Sequence, residues 1–187
     1  QDNLIELINT LNSNNNIHGI LVQLPLPQHL NELAVINAIN PSKDVDGLTP
    51  LNLGNLISNT PTLVPCTPQG VLELLKSECN DLTGKHAVII GRSLLFGKPM
   101  GQLLLNENCM VTQCHSKTQN ITAITRQADI LIAATGQSRM VKSNWIKDGV
   151  IVVDVGISRG DDNKITGDVD FDNVKANLKT FLQGQSE

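Results

Sequence analysis

Residues Ala87–Pro99, reading AVIIGRSLLFGKP, constrain the fold of this chain more than any other stretch. A short β-branched apolar run ends in Gly91, passes through a tight turn, and enters a helix near Lys98 and Pro99. Strand, turn and helix in that order form the entrance of a nucleotide-binding unit, where helix amides and a partial positive charge face a phosphate. Arg92 and Ser93 then sit where the phosphates of a dinucleotide would lie. The turn departs from the GxGxxG pattern, with Ser93 at the second glycine position and Gly97 one residue late. Taken alone, it also fits an ordinary strand-to-helix turn.

The surrounding pattern repeats the same alternation. Apolar runs predict strands at His86–Ile90, Val111–Cys114, Ile130–Ala134, Val150–Val155 and Ile165–Val169. Helical spacing predicts helices at Pro99–Leu105, Ile121–Gln127 and Asp172–Leu178 between and after them. Alternating strands and helices imply an α/β fold, a Rossmann-like doubly wound parallel sheet. Ahead of it, Leu4, Ile5, Ile8 and Leu11 recur at helical spacing, Gly19–Gln23 reads as a buried strand, and a helix follows around Asn31–Ile39. The helix after Pro65-Cys66-Thr67-Pro68 is expected to run from about Gln69 to Cys79, capped by Thr67 or its neighbour. The proline-rich stretch divides the chain into part of a smaller α/β domain, residues 1–64, and a complete dinucleotide unit, residues 65–187.

Composition narrows the function classes. A net charge of −4 supplies no basic stripe for nucleic acid. No apolar run approaches the ~20 residues that span a bilayer. The opening QDNLIELINTL lacks the basic and apolar regions of a secretory leader and reads as the interior of a helix, which predicts a piece of a longer chain. Four cysteines show no CxxC pair and no disulfide-dense pattern; Cys109 and Cys114, beside His115, fit buried small hydrophobes better than a metal site, and the usage suits a cytoplasmic or organelle-matrix enzyme.

The cofactor is read from the end of the second strand. Sites that prefer NAD place a carboxylate about 20 residues past the glycines. Here CHSKT, residues 114–118, has none. With Arg92, the hydroxyl and cationic donors there suit a 2′-phosphate, so NADP is favoured over NAD. ATGQ at 134–137 and DVGI at 154–157 point to the same crevice, although Asp154 reads equally as a structural turn carboxylate. In the first unit, Gln23 at a strand mouth and Asp46 before Gly47 can read the donor and acceptor edge of a heterocycle. A loop cap and a strand terminator are the plainer alternative.

VQLPLP, DVDG, PCTP, GRSxxxGxP, CHSKT, ATGQ and DVGI, in one order, resemble the methylenetetrahydrofolate dehydrogenase/methenyltetrahydrofolate cyclohydrolase family, from Ile17 to about Asp170. The resemblance implies NADP-dependent oxidation of 5,10-methylenetetrahydrofolate, then hydrolysis of the methenyl cation to 10-formyltetrahydrofolate. It places Gln23 and Asp46 against the pterin, assigns NADP contacts to Gly91, Arg92, Ser93, Ser116 and Ile157, and implies homodimers. The family's general acid/base is the lysine of a Tyr-x-x-x-Lys motif, expected upstream of this sequence, which contains no tyrosine. Lys43, His18 and His29 are the basic groups nearest that role, and neither histidine is well placed for it. The run Thr180–Glu187 also departs from the family's proline- and glycine-rich closing loop. A non-catalytic NADP-binding or dimerisation module is the alternative function.

Overall fold

The computed structural model describes residues 1–159 and 165–183, arranged as two compact units, Gln1–Cys66 and Thr67–Glu187. The last four residues of the Thr180–Glu187 run lie outside the described residues.

The first unit is carried by helices α1 (Asp2–Ser13), α2 (Glu32–Ala38) and α3 (Pro50–Ile57). The apolar stripe of α1 packs Ile8 against Ile20, Val35 and Ile39, with Leu4 and Leu11 half-buried beside them. Asn12 ties α1 to the end of α2. Its Nδ2 donates to Ala38 O at 2.7 Å and its Oδ1 accepts from Asn40 N at 2.9 Å. Asn31 caps α2 by accepting from Ala34 N. The expected strand Gly19–Gln23 reduces to a single parallel bridge between Ile20 and Asp44. Only Ile20 finds a partner, donating to Lys43 O, while Leu21 and Gln23 are exposed and the prolines that follow carry no N–H.

The second unit opens with α4 (Cys66–Glu78), which starts before the expected boundary, so Thr67 and Pro68 lie within its first turn. Proline is tolerated there because first-turn N–H groups have no intrahelical acceptor. Strands β1 (His86–Ile90), β2 (Met110–Cys114), β3 (Ile130–Ala133) and β4 (Val150–Asp154) follow the sequence pattern to within a residue. Helix α5 (Gly97–Asn106) joins β1 to β2 and α6 (Ile121–Thr125) joins β2 to β3. A small antiparallel pair, β5 (Ser158–Arg159) and β6 (Ile165–Thr166), precedes α7 (Phe171–Val174) and β7 (Leu178–Gln183).

The expected helix Asp172–Leu178 is thus shorter. It ends in a 3₁₀ turn and gives way to β7, which pairs in parallel with β4. The expected strand Ile165–Val169 is likewise confined to β6, with Val169 making one bridge to Val141. The five-stranded sheet is parallel throughout, in the order β2-β1-β3-β4-β7. Its central strands β3 and β4 are buried at every position. Each such aliphatic side chain contributes about 1.5–3 kcal/mol relative to exposure. On one face Val88, Ile90, Leu131, Val150 and Val152 meet Val174 and Ile124, while α5 packs over Ile89 and Val111. The Phe171 and Phe181 rings pack in a tilted arrangement with centroids 4.7 Å apart, fastening α7 to β7.

Candidate functional site

The chain runs from β1 outward to β2, then returns to the other side of β1 to form β3. Reversal of strand order at β1 and β3 opens a crevice at their carboxyl ends, where open α/β sheets bind ligands. A crevice of about 260 Å³ lies there, lined by Gly91, Arg92, Ser93, Ser116, Thr135 and Gln137 among others.

Two glycines set the turn that borders this crevice, and Gly91 lines it. Gly91 has φ +142°, and a Cβ on it would stand 2.5 Å from Ala134 O, so the backbone after β1 lies directly against the end of β3. A Cβ on Gly97 would meet Gly91 O at 2.5 Å and Arg92 N at 2.8 Å, so the helix start is pressed onto the turn. The late glycine therefore serves close packing of helix on strand. Gln113 Nε2 donates to Gly91 O at 2.9 Å, closing the turn from the β2 side.

Ser93 departs from the expectation that the amides of α5 stand open toward a phosphate. Its Oγ accepts from Phe96 N at 3.2 Å and Gly97 N at 3.4 Å, and its carbonyl accepts from Lys98 N. The helix start is occupied by its own turn, leaving the Ser93 hydroxyl proton as a donor. Arg92 is exposed at the crevice. At the end of β2, Thr118 Oγ1 accepts from His115 N and His115 Nδ1 accepts from Lys117 N, a turn that presents Ser116 without any carboxylate. Gly91, Arg92, Ser93 and Ser116 are therefore brought together. Ile157 does not line the crevice and is 46% exposed.

Asp154 resolves to the structural alternative. It is buried, and it accepts from Gly156 N at 3.0 Å, Asp168 N at 2.9 Å and Val169 N at 2.9 Å. Burial pushes its carboxyl pKa up against the pull of those amides, and Asp168 adds to the rise. Asp168 itself was not legible as a site residue, although GDVD places a carboxylate inside an otherwise buried segment. The two carboxylates interlock with glycines, since a Cβ on Gly156 would fall 2.1 Å from the Asp168 carboxyl and one on Gly167 2.0 Å from Asp154 Oδ2.

In the first unit, the Ile20–Asp44 bridge lays the Gln23 segment beside the DVDG loop. Gln23 is exposed and its Nε2 donates to Leu24 O at 3.1 Å. Asp44 is internal scaffolding, accepting from Thr49 N at 2.7 Å and Asn52 Nδ2 at 2.9 Å. Asp46 is half-buried, and burial followed by the nearby Asp44 charge raises its pKa. Lys43 is committed to structure. Its Nζ donates to Leu11 O, Asn12 O and Asn14 O at 3.1, 2.7 and 2.9 Å, capping the end of α1. His18 and His29 are exposed. Cys109 and Cys114 are buried thiols whose pKa values burial pushes up, which makes them poor thiolates.

Residues 65–182 match the family model for the tetrahydrofolate dehydrogenase/cyclohydrolase NAD(P)-binding domain, and residues 1–46 match that for the catalytic domain. The bifunctional protein FolD of Bacillus licheniformis is 54% identical over 175 residues, which cover 94% of this chain and 62% of that relative. A FolD crystal structure from Campylobacter jejuni superposes with a TM-score of 0.94 at 48% identity, covering 97% of this chain and 65% of the other. A Trypanosoma brucei dehydrogenase–cyclohydrolase, solved with NADP cofactor and an inhibitor, superposes at 0.90 with 36% identity, covering 98% and 65%. This chain thus spans a little under two thirds of the length of these relatives.

Proposed function

Because this chain belongs to the tetrahydrofolate dehydrogenase/cyclohydrolase family, we propose that its second unit binds NADP in the crevice between β1 and β3 and serves the oxidation of 5,10-methylenetetrahydrofolate. The carboxylate-free end of β2 facing Arg92 carries this reading. A carboxylate there would repel a 2′-phosphate, whereas the Arg92 guanidinium and the Ser116 hydroxyl donate to one. Gly91, pressed against Ala134, brings the turn after β1 to the edge of the crevice, where the pyrophosphate would lie with the Ser93 hydroxyl proton as a donor beside it. Ile157 stands outside the crevice. When bound, the nicotinamide supplies a hydride acceptor for the one-carbon bridge of the folate.

In the first unit, Gln23 offers a donor and an acceptor, and Asp46 an acceptor, to the pterin edge. Both are substrate-positioning groups. The hydration that yields 10-formyltetrahydrofolate needs a general acid/base. Lys43, the lysine of the first unit, directs its protons to the carbonyls at the end of α1 and is not free to serve that step. The cyclohydrolase activity belongs to the longer family architecture. The family resemblance further suggests a cytoplasmic homodimer that feeds one-carbon units to purine and amino-acid synthesis.

The test is fluorescence titration with NADPH and NADH. NADPH is expected to bind more tightly, and Arg92→Ala to weaken NADPH about tenfold while changing NADH little. Tighter NADH binding, or indifference of NADPH to Arg92→Ala, would overturn the cofactor assignment. NADPH binding without turnover of methylenetetrahydrofolate would favour a binding or dimerisation module.

A further inference from the structure

We propose that Asp168 is a positioning residue for the dinucleotide crevice, holding the Thr135–Gln137 turn at the end of β3 in its ligand-facing shape. The inference rests on reading that crevice as the cofactor site. Asp168 is fully buried, and one of its oxygens gathers three donors. Oδ2 accepts from Thr135 N at 2.5 Å, Thr135 Oγ1 at 2.9 Å and Gly136 N at 3.1 Å. Thr135 passes the constraint on, because its Oγ1 accepts from Gln137 N at 3.1 Å. Thr135 and Gln137 line the crevice, whereas Asp168 does not, so the carboxylate acts through the turn.

Asp168 is itself held from behind. Its N–H donates to Asp154 Oδ1 at 2.9 Å, its carbonyl accepts from Val141 N at 2.9 Å, and Gly156 leaves the space that its carboxyl fills. The other oxygen, Oδ1, is buried with no hydrogen-bond partner among the described residues. Among the described residues, the hydrogen bonds to this carboxylate come from the turn, and such charge-assisted bonds are stronger than neutral ones. Pairing with β1 ends at Ala134, whose N–H donates to Ile90 O, so from Thr135 onward this carboxylate, rather than the sheet, sets the path of the turn.

The experiment compares NADPH titration and amide hydrogen exchange in wild type, Asp168→Asn, Thr135→Val, the double variant, and Val174→Ala as a destabilised control in the buried core. Asp168→Asn preserves shape and one acceptor oxygen but removes the charge. It is expected to weaken NADPH about tenfold and to speed exchange at the Thr135 and Gly136 amides. The double variant should lose at most about twofold more than Asp168→Asn, since both act through one turn. Val174→Ala should lower Tm and leave NADPH affinity unchanged. Unchanged affinity and exchange in Asp168→Asn, additive losses in the double variant, or an equal affinity loss in Val174→Ala would each overturn the proposal. Failure of wild type to bind either dinucleotide would count against the cofactor reading, and exchange at Thr135 and Gly136 would still decide whether Asp168 holds the turn.

Discussion

At Gly97 the first turn of α5 runs so close to Gly91 that the three atoms a Cβ would meet are all backbone, the nearest at 2.5 Å. Backbone cannot rotate aside as a side chain can, so Gly97→Ala must separate helix from turn. Overpacking of this kind costs about 1–3 kcal/mol. Gly101, one turn further along α5, is the contrasting case. A Cβ there would meet Ile89 Cδ1 and Val111 Cγ1 at 3.6 and 3.7 Å, ordinary contact distances. Gly101→Ala is expected to stabilise by up to about 1 kcal/mol through helix propensity. Urea denaturation of the two variants should therefore move in opposite directions, and only Gly97→Ala should also weaken NADPH. Ser93 belongs to the same scale. Sequence spacing located it at the turn, but which way its hydroxyl is used follows from the path of the chain over the next four residues.

Among elements, α1 shows how a loop residue can complete a helix distant in sequence. Its last turn contains no basic residue, and its closing carbonyls are met by the Lys43 ammonium instead. Three charge-assisted bonds complement the negative end of the helix. Lys43→Met is expected to cost about 1–3 kcal/mol and to accelerate amide exchange in the last turn of α1, leaving the dinucleotide crevice undisturbed. No local pattern announces this cap, because donor and acceptors lie about thirty residues apart. The same limit explains β7. LKTFLQ is only half-buried at the sheet edge, so its alternation is weak, and its identity as a strand depends on β4 lying beside it. By contrast β1, β3 and β4 were legible because strands buried on both faces read as unbroken β-branched runs.

For the whole molecule, two carboxylates make opposite demands on pH. Asp46, in the first unit, has its pKa raised by burial and then by Asp44. A raised acid favours the folded state when protonated, and that advantage is lost as pH rises through its folded pKa. Asp129, in the second unit, has its pKa lowered by Lys147, 2.6 Å away, and by the His86 amide. Its contribution is present above the unfolded pKa and is lost as pH falls through the folded one. Thermal melts across acid pH should therefore find Asp46→Asn more stable than wild type at neutral pH and Asp129→Asn less stable. Both gaps should close as the medium becomes acid enough to protonate each native carboxylate. An Asp46→Asn variant less stable than wild type at neutral pH would show that the charge is favoured where it stands.

The parallel α/β sheet could be anticipated from alternating runs, whereas its strand order follows only from the structure. Asp154 was legible as a structural carboxylate, but the role of Asp168 was not, because it emerges only when β4 and the segment after β6 meet. Gly91 meets Ala134 backbone to backbone at the head of the crevice. With β1 and β3 in contact at their ends and Gln113 closing the turn, the groove is formed by folding itself. A dinucleotide should then enter with little loss of chain entropy, and the heat-capacity change on binding should correspond to the ligand surface covered rather than to a segment being ordered.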